Sequence, residues 1–151
     1  MQLNTYLSFD GDCRPALESY ARLFGGKIMS MMTFGEMPGG DGGDGGGDGC
    51  GPVPDALKHL VMHGCVDIGG HLLMGTDATP DHPYEGIKGA YVTVQTADVA
   101  EAERLFAGLS EQARRIEMPL QQTFWARRYG SLVDRHGVAW MVNCSDPCPE
   151  A

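Results

Sequence analysis

Basic residues and long apolar runs are both scarce in this chain. Lys and Arg together number 11 against 20 Asp and Glu, so the formal net charge is -9. An acidic chain repels phosphate backbones and anionic lipids, so binding to nucleic acid or to a membrane surface is not expected. No apolar stretch approaches the roughly 20 residues that a membrane-spanning helix needs.

The five cysteines form no Cys-x-x-Cys pair, so the usual redox and zinc spacings are missing. The first residues also lack the basic-then-apolar pattern of a secretion signal. An odd number of cysteines without such a signal is typical of reduced thiols. We therefore expect a cytoplasmic protein.

The same order of elements is predicted twice along the chain. The strand "LNTYLSF" precedes the helix "DGDCRPALESYARLFGG", and the strand "GAYVTVQ" precedes the helix "TADVAEAERLFAGL". Asp12 is the predicted N-cap of the first helix, and Gly25 ends it. After each helix come three predicted strands, roughly at 27–35, 57–67, 71–77, and then at 114–122, 126–134, 138–144.

Two βαβββ modules, roughly residues 1–77 and 88–145, predict an α+β fold of curved mixed sheets with helices on the convex side. The concave face is then the expected ligand pocket. The loop 36–56 contains "GGDGGDGGGDGCG", which lacks the Lys and Ser/Thr of a phosphate-binding loop. Because ordering glycine costs much conformational entropy, we interpret this loop as a flexible connector. A weak cation site is the alternative.

Alternation along the strands predicts which side chains line the pocket. If "IGGH" and "DRHG" are even-length turns, Cys65 opposes Met74 and Arg128 opposes Asn143. One face of each sheet is then apolar and the other mixed polar. The predicted pocket residues are His63, Cys65, Met74, Tyr91, Thr93, Gln95, Arg128, Met141 and Asn143, with Trp125 and Tyr129 beside them.

Each of these residues also has a structural interpretation. His63 can be a hydrogen-bonded structural histidine, Arg128 an edge charge, and the methionines pocket filling. Trp125 can pack in the core or in a dimer interface. Cys65 lacks an adjacent base in its strand, which argues against a nucleophile.

Three segments carry a family resemblance: "LESYARLFGGKI", "VMHGCVDIGGHLLMGTD" and "MPLQQTFWARRYGSLVDRHGVAWMVNC". Together with the βαβββ repeat they resemble the PhnB-like branch of the vicinal oxygen chelate superfamily, which is the glyoxalase, bleomycin-resistance and dioxygenase fold. The resemblance implies one glyoxalase-like domain over residues 1–151 and a homodimer. It does not fix the reaction, because one fold hosts unrelated chemistries.

The resemblance also implies four metal-ligand positions, which fall on Thr5, Met74, Tyr91 and Met141. Metal-dependent relatives use His and Glu there, whereas a hydroxyl, two thioethers and a phenol suit Mg²⁺, Mn²⁺ or Zn²⁺ poorly. If one of these positions is misaligned by a residue, Asn4 or Asn143 replaces its neighbour, and the set of donors still suits these ions poorly. No metal or other cofactor is therefore expected.

Several functions are compatible with these observations. The first is a metal-independent protein that binds a small molecule in the concave pocket. The second is a metal-independent lyase, isomerase or transferase with His63 as acid or base, since imidazole suits proton transfer near neutral pH. A metal-dependent enzyme returns if the ligand positions are misplaced, and a purely structural or regulatory dimer is the last alternative.

Overall fold

The computed structural model describes residue 1, residues 3–37 and residues 52–145. The chain divides into two compact units, residues 1–85 and 86–151. Unit 1 contains β1 (Thr5–Phe9), α1 (Cys13–Phe24), β2 (Lys27–Thr33), β3 (Val61–Ile68) and β4 (His71–Asp77). Unit 2 contains β5 (Val92–Thr96), α2 (Val99–Ser110), β6 (Arg115–Gln121), β7 (Arg128–Val133) and β8 (Ala139–Cys144). The predicted βαβββ order is confirmed in both units.

Each unit has one four-stranded mixed sheet. The strand order is β1-β4-β3-β2 in unit 1 and β5-β8-β7-β6 in unit 2. The first two strands in each order are parallel, and the remaining neighbours are antiparallel. This architecture confirms the predicted α+β class.

One face of each sheet is apolar and packs against the helix of its own unit. In unit 1, Leu7, Phe9, Val66 and Leu73 are all buried on this face. In unit 2 the corresponding side chains are Leu132, Trp140 and Val142. Burial of each such side chain stabilises the fold by about 1.5–3 kcal/mol.

The two helices begin in different ways. Asp98 caps α2 as expected, because its carboxylate accepts from the Ala100 backbone N–H at 2.9 Å. Asp12 is the N-cap residue of α1, as predicted, but its side chain makes no capping hydrogen bond. The buried carboxylate of Asp77 accepts from the Cys13 backbone N–H instead, at 2.8 Å. A residue far along the chain therefore replaces the local cap.

The two hairpins differ in register. In β3–β4, Cys65 opposes Met74 as predicted from the two-residue turn. In β7–β8, the predicted pairing of Arg128 with Asn143 is wrong, because Arg128 opposes Cys144 and Tyr129 opposes Asn143. The loop has an odd length, residues 134–138, rather than the even length expected for "DRHG".

Asp134 gives the physical reason for the longer loop. Its buried carboxylate accepts from the backbone N–H groups of His136 (2.9 Å) and Val138 (3.0 Å). The second carboxylate oxygen accepts from the Trp140 indole at 2.8 Å. These three bonds satisfy donors that the longer loop and the buried indole would otherwise leave unpaired.

The described ends of the predicted loop 36–56 carry two short 3-10 turns, Phe34–Glu36 and Asp55–Leu57. The glycine- and aspartate-rich part, residues 38–51, lies outside the described residues. Within the part that is described, no helix is long and apolar enough to cross a membrane.

Candidate functional site

The face of each sheet that points away from its helix carries nearly all the candidate site residues, and we call it the helix-free face. In unit 1 the pairing of Cys65 with Met74 places both side chains there, with His63 two residues before Cys65. Tyr6 joins them because it pairs with Met74 across β1 and β4. Unit 1 therefore brings together three of the predicted residues and one that was not predicted.

Tyr6 and His63 form the closest side-chain pair of this group. The phenol oxygen and His63 Nδ1 are 3.4 Å apart, and the rings stack with centroids 5.9 Å apart. Partial burial raises the pKa of the Tyr6 phenol, so it stays a hydrogen-bond donor near neutral pH. The sequence does contain a signal for Tyr6, because the apolar Leu7 and Phe9 alternate with it and define the other face.

Cys65 is poorly suited to nucleophilic chemistry. Its thiol is buried, and burial, followed by the nearby Asp67 carboxylate, raises its pKa. A raised pKa lowers the thiolate fraction at neutral pH, and the thiolate is the reactive form. Cys65 therefore acts as a small apolar side chain on this face.

In unit 2 the helix-free face gathers a larger set. The pairing of Thr93 with Met141 and of Gln95 with Asn143 puts all four side chains on it, as predicted. Tyr129 joins them because it opposes Asn143. Tyr91, one residue before β5, continues the same alternation.

A hydrogen-bonded amide pair lies on this face near the ends of β5 and β8. Asn143 Nδ2 donates to Gln95 Oε1 at 2.9 Å and approaches Ser145 Oγ at 3.4 Å. Gln95 Nε2 also donates to Ser145 Oγ, at 3.2 Å. Asn143 Oδ1 is buried and has no hydrogen-bond partner among the described residues. A buried acceptor without a donor costs about 1–3 kcal/mol.

Tyr91 belongs to a second polar group on unit 2. Its hydroxyl donates to Glu117 at 2.7 Å, and Glu117 also pairs with Arg115. The bond to Glu117 raises the pKa of the Tyr91 phenol, whereas the bonds from Tyr91 and Arg115 lower the pKa of Glu117. Sequence reasoning missed Glu117 and Arg115, because a register irregularity between Ile116 and Met118 breaks the alternation of β6.

Three aromatic rings follow one another beside the amide pair. Trp125 packs edge-on against Phe124 (centroids 4.7 Å apart) and against Tyr129 (5.5 Å). Trp125 is 48% exposed and Phe124 is 97% exposed, so neither is committed to the core of unit 2. A cleft of about 250 Å³ lies here, lined by residues 122–127 and Ser145.

Arg128 does not belong to this site. The one-residue shift in the β7–β8 register turns its side chain to the helix face, where it pairs with Glu103 of α2 at 3.1 Å. Arg128 is therefore an edge charge paired with the helix, and the prediction that it lies on Asn143's face is wrong. Tyr129 occupies the position opposite Asn143 instead.

The side chains at the four expected ligand positions do not fit a divalent ion. Thr5 pairs with Leu73, which puts it on the helix face, and Tyr6 is its neighbour on the helix-free face. The remaining donors are the thioethers of Met74 and Met141 and the phenol of Tyr91, which hard or borderline divalent ions bind weakly. Across residues 3–37 and 52–145, no group of three His, Cys, Asp or Glu side chains is placed to hold a metal.

Two mixed sheets, each with one helix and one polar, aromatic helix-free face, define a glyoxalase-like protein. Residues 2–142 match the Glyoxalase/Bleomycin resistance protein/Dioxygenase superfamily. The chain belongs to this superfamily.

Three known proteins illustrate this relationship. Protein YjdN of Escherichia coli is 33% identical over 143 residues, which is 95% of each chain. The crystal structure of protein PA1353 from Pseudomonas aeruginosa has a TM-score of 0.83 and 39% identity, and covers 97% of this chain and 99% of its own. The PhnB protein of Bacillus cereus has a TM-score of 0.73 at 23% identity and covers 96% and 100%. This last likeness shows the fold alone.

Proposed function

We propose that the chain is a metal-independent small-molecule-binding protein whose ligand lies against the helix-free face of unit 2. One observation carries the proposal: exposed aromatic rings and an incompletely bonded amide lie side by side there. Trp125 is half exposed, and its neighbour Tyr129 stands opposite Asn143. Ligand sites typically combine apolar and aromatic walls with a few convergent polar groups.

The donor chemistry of the expected ligand positions supports metal independence. Two thioethers, a phenol and a hydroxyl on the wrong face do not match the ligand preferences of Mg²⁺, Mn²⁺ or Zn²⁺. Mass spectrometry of protein purified without chelator or nickel affinity tags tests this directly. We expect substoichiometric metal and no thermal shift with added divalent ions, and a stoichiometric ion would overturn metal independence.

The binding function itself is tested by a thermal-shift screen of a ligand library. A ligand that binds only the folded state stabilises it by about 2.7 kcal/mol at a hundred times its Kd. We expect ligands that stabilise the wild type and lose most of that effect in Trp125→Ala. Ile116→Ala is the matched control, because Ile116 is a 42% exposed apolar residue of unit 2 that does not line the cleft. Folded protein that no library member stabilises would contradict the proposal.

The Tyr6–His63 pair supports a second candidate, a metal-independent lyase, isomerase or transferase. A phenol 3.4 Å from an imidazole nitrogen can hold that ring in one orientation while its other nitrogen exchanges a proton with substrate. Once a turnover assay exists, His63→Ala should abolish activity and Tyr6→Phe should reduce it. Unchanged turnover in His63→Ala would exclude this mechanism.

We also propose that the protein is a cytoplasmic homodimer, which is compatible with either function. Sedimentation of the purified chain tests the first, and cell fractionation tests the second. A monomer at all concentrations would remove the purely structural dimer from the alternatives.

A further inference from the structure

The unpaired oxygen of Asn143 constrains the ligand of unit 2. Both amide protons of Asn143 have acceptors, in Gln95 and Ser145, whereas its carbonyl oxygen has no donor among the described residues. If the Asn143 amide is turned over, its oxygen faces Gln95 Oε1 and its nitrogen takes the unpaired place. One polar atom of Asn143 then still lacks a partner. Buried polar groups in native proteins nearly always have partners, so an unpaired one calls for an explanation.

Ser145 connects this amide with the aromatic cleft. Its hydroxyl contacts both amides, at 3.2 Å from Gln95 Nε2 and 3.4 Å from Asn143 Nδ2. The same residue lines the cleft of about 250 Å³ together with Trp125. Ser145 therefore places the Asn143 amide next to the lining of the cleft.

The rings beside the cleft favour a flat ligand. Trp125 meets Phe124 at an interplanar angle of 83° and Tyr129 at 68°, so these rings use edges against faces and do not stack on one another. A planar ring can add to such a cluster by an offset-stacked or edge-to-face contact. A cleft of about 250 Å³ is smaller than a drug-sized pocket, which favours a ligand of one or two rings.

Charge near the cleft disfavours a cationic ligand. Arg127 lines the cleft, and its guanidinium donates to the Ala97 carbonyl oxygen and keeps its positive charge. A compound without positive charge therefore suits this cleft.

We propose that unit 2 binds a planar compound of one or two rings that carries no positive charge and presents an N–H or O–H donor to Asn143 Oδ1. The ring packs beside Trp125 and Tyr129, and its donor reaches Asn143 next to Ser145. The inference rests on the proposed small-molecule-binding function and names the ligand class of the same site.

Benzimidazole and 1-methylbenzimidazole test the proposal, because they share a ring system and differ in the N–H donor. Titrations followed by ¹H–¹⁵N NMR, at a mildly alkaline pH where both are uncharged, read the Trp indole and the Asn and Gln side-chain signals. We expect shifts at Trp125, Gln95 and Asn143. The buried Trp140 indole, held by Asp134, should not move and serves as the internal control.

Methylation should weaken binding about fivefold, the effect of one lost hydrogen bond. In Asn143→Leu the two probes should bind equally, whereas Asn4→Leu, the same change at an exposed residue of unit 1, should keep the preference. An unchanged Trp140 indole signal verifies that each variant is folded. The wild-type ratio of affinities decides the question even if Asn143→Leu does not fold.

The outcomes separate this inference from the function on which it rests. Equal affinity for the two probes, or tighter binding of the methylated one, overturns the donor role of the ligand. Binding of neither probe, while other library compounds stabilise the protein, overturns the planar-donor class and leaves the binding function standing. Stabilisation by no compound at all removes both.

Discussion

Units 1 and 2 share strand order and helix position, but the buried carboxylates that join their elements lie at different places in the two units. In unit 1 the carboxylate of Asp77 joins the first turn of α1 to the start of β3, because it accepts from Cys13 and from Val61, each at 2.8 Å. In unit 2 the corresponding role falls to Asp134, which closes the β7–β8 loop and holds Trp140. A repeated fold therefore fixes where elements go without fixing which side chain secures them.

The helix contacts differ in the same way. Unit 1 has a glycine pair under α1, Gly64 opposite Gly75, and unit 2 has Gly130 opposite Val142 under α2. Phe9 and Cys13 fill the space above Gly75. In unit 2, Val142 is itself a buried side chain at the equivalent place. The space at this position is therefore filled by side chains from β1 and α1 in unit 1, and by the side chain of the β8 residue itself in unit 2.

The largest effect is expected at the two buried aspartates. Asp134→Ala strands three donors and should lower the free energy of unfolding by about 3–5 kcal/mol. Asp77→Ala strands two donors and should cost about 2–4 kcal/mol. Urea unfolding followed by circular dichroism compares them. A larger loss in Asp77→Ala would mean that the number of stranded donors does not set the difference between the units.

A smaller effect is expected where glycines meet the helices. In Gly130→Ala the new Cβ would lie 2.6 Å from Phe106 Cε2 and 3.0 Å from the Leu120 backbone, which cannot rotate away. We expect a loss of about 2–3 kcal/mol. In Gly64→Ala the new Cβ meets the ends of Leu17 and Met31, which can rotate, so about 1–2 kcal/mol is expected. Thermal unfolding measures both, and equal losses would contradict the backbone argument.

Short-range pattern was sufficient for much of this structure. The order of elements, the β3–β4 register and the shared face of Thr93, Gln95 and Met141 all follow from alternation, turn residues and helical periodicity. These features depend on neighbours in sequence. Alternation alone also separates Tyr6 from Leu7 and Phe9, so the position of Thr5 on the helix face follows from the sequence as well.

Long-range hydrogen bonds account for what was missed. The cap of α1 comes from Asp77, which no local pattern around Asp12 indicates. The odd-length β7–β8 loop depends on Asp134 reaching Trp140, and that one residue moved Arg128 out of the site. The irregularity in β6 that brings Glu117 to Tyr91 has the same character, because it is visible only once the partner strand is in place.

An exposed ion pair should matter much less than either set of core changes. Arg128 and Glu103 lie 3.1 Å apart, with side chains 35% and 53% exposed. Glu103→Gln should therefore cost about 0.2–1 kcal/mol, since solvent screens such pairs. It should leave ligand affinity at unit 2 unchanged, which calorimetry would check with any compound found in the screen. A large loss of affinity would return Arg128 to the site.

The smallest effect on stability is expected from the tyrosines of the two helix-free faces. The pKa of each phenol can nevertheless be measured by titration. Hydrogen bonding to Glu117 raises the pKa of Tyr91 above its ordinary value of 10.0, whereas partial burial raises that of Tyr6. Glu117→Gln should lower the pKa of Tyr91 and leave Tyr6 unchanged. NMR of tyrosine ring carbons, with Tyr91→Phe to assign the signal, measures each phenol.

The signs of these shifts define where the Tyr91–Glu117 bond stabilises the fold. Glu117 has a folded pKa below its ordinary 4.5, so its contribution is present above that pH and is lost as the pH falls through the folded value. Tyr91 has a raised folded pKa, so its contribution is present below pH 10.0 and is lost as the pH rises through the folded value. Below pH 4.5, the free energy of unfolding should fall less steeply with decreasing pH in Glu117→Gln than in the wild type. An unchanged Tyr91 titration would show that burial, as at Tyr6, sets both phenols and that the two faces do not differ in this respect.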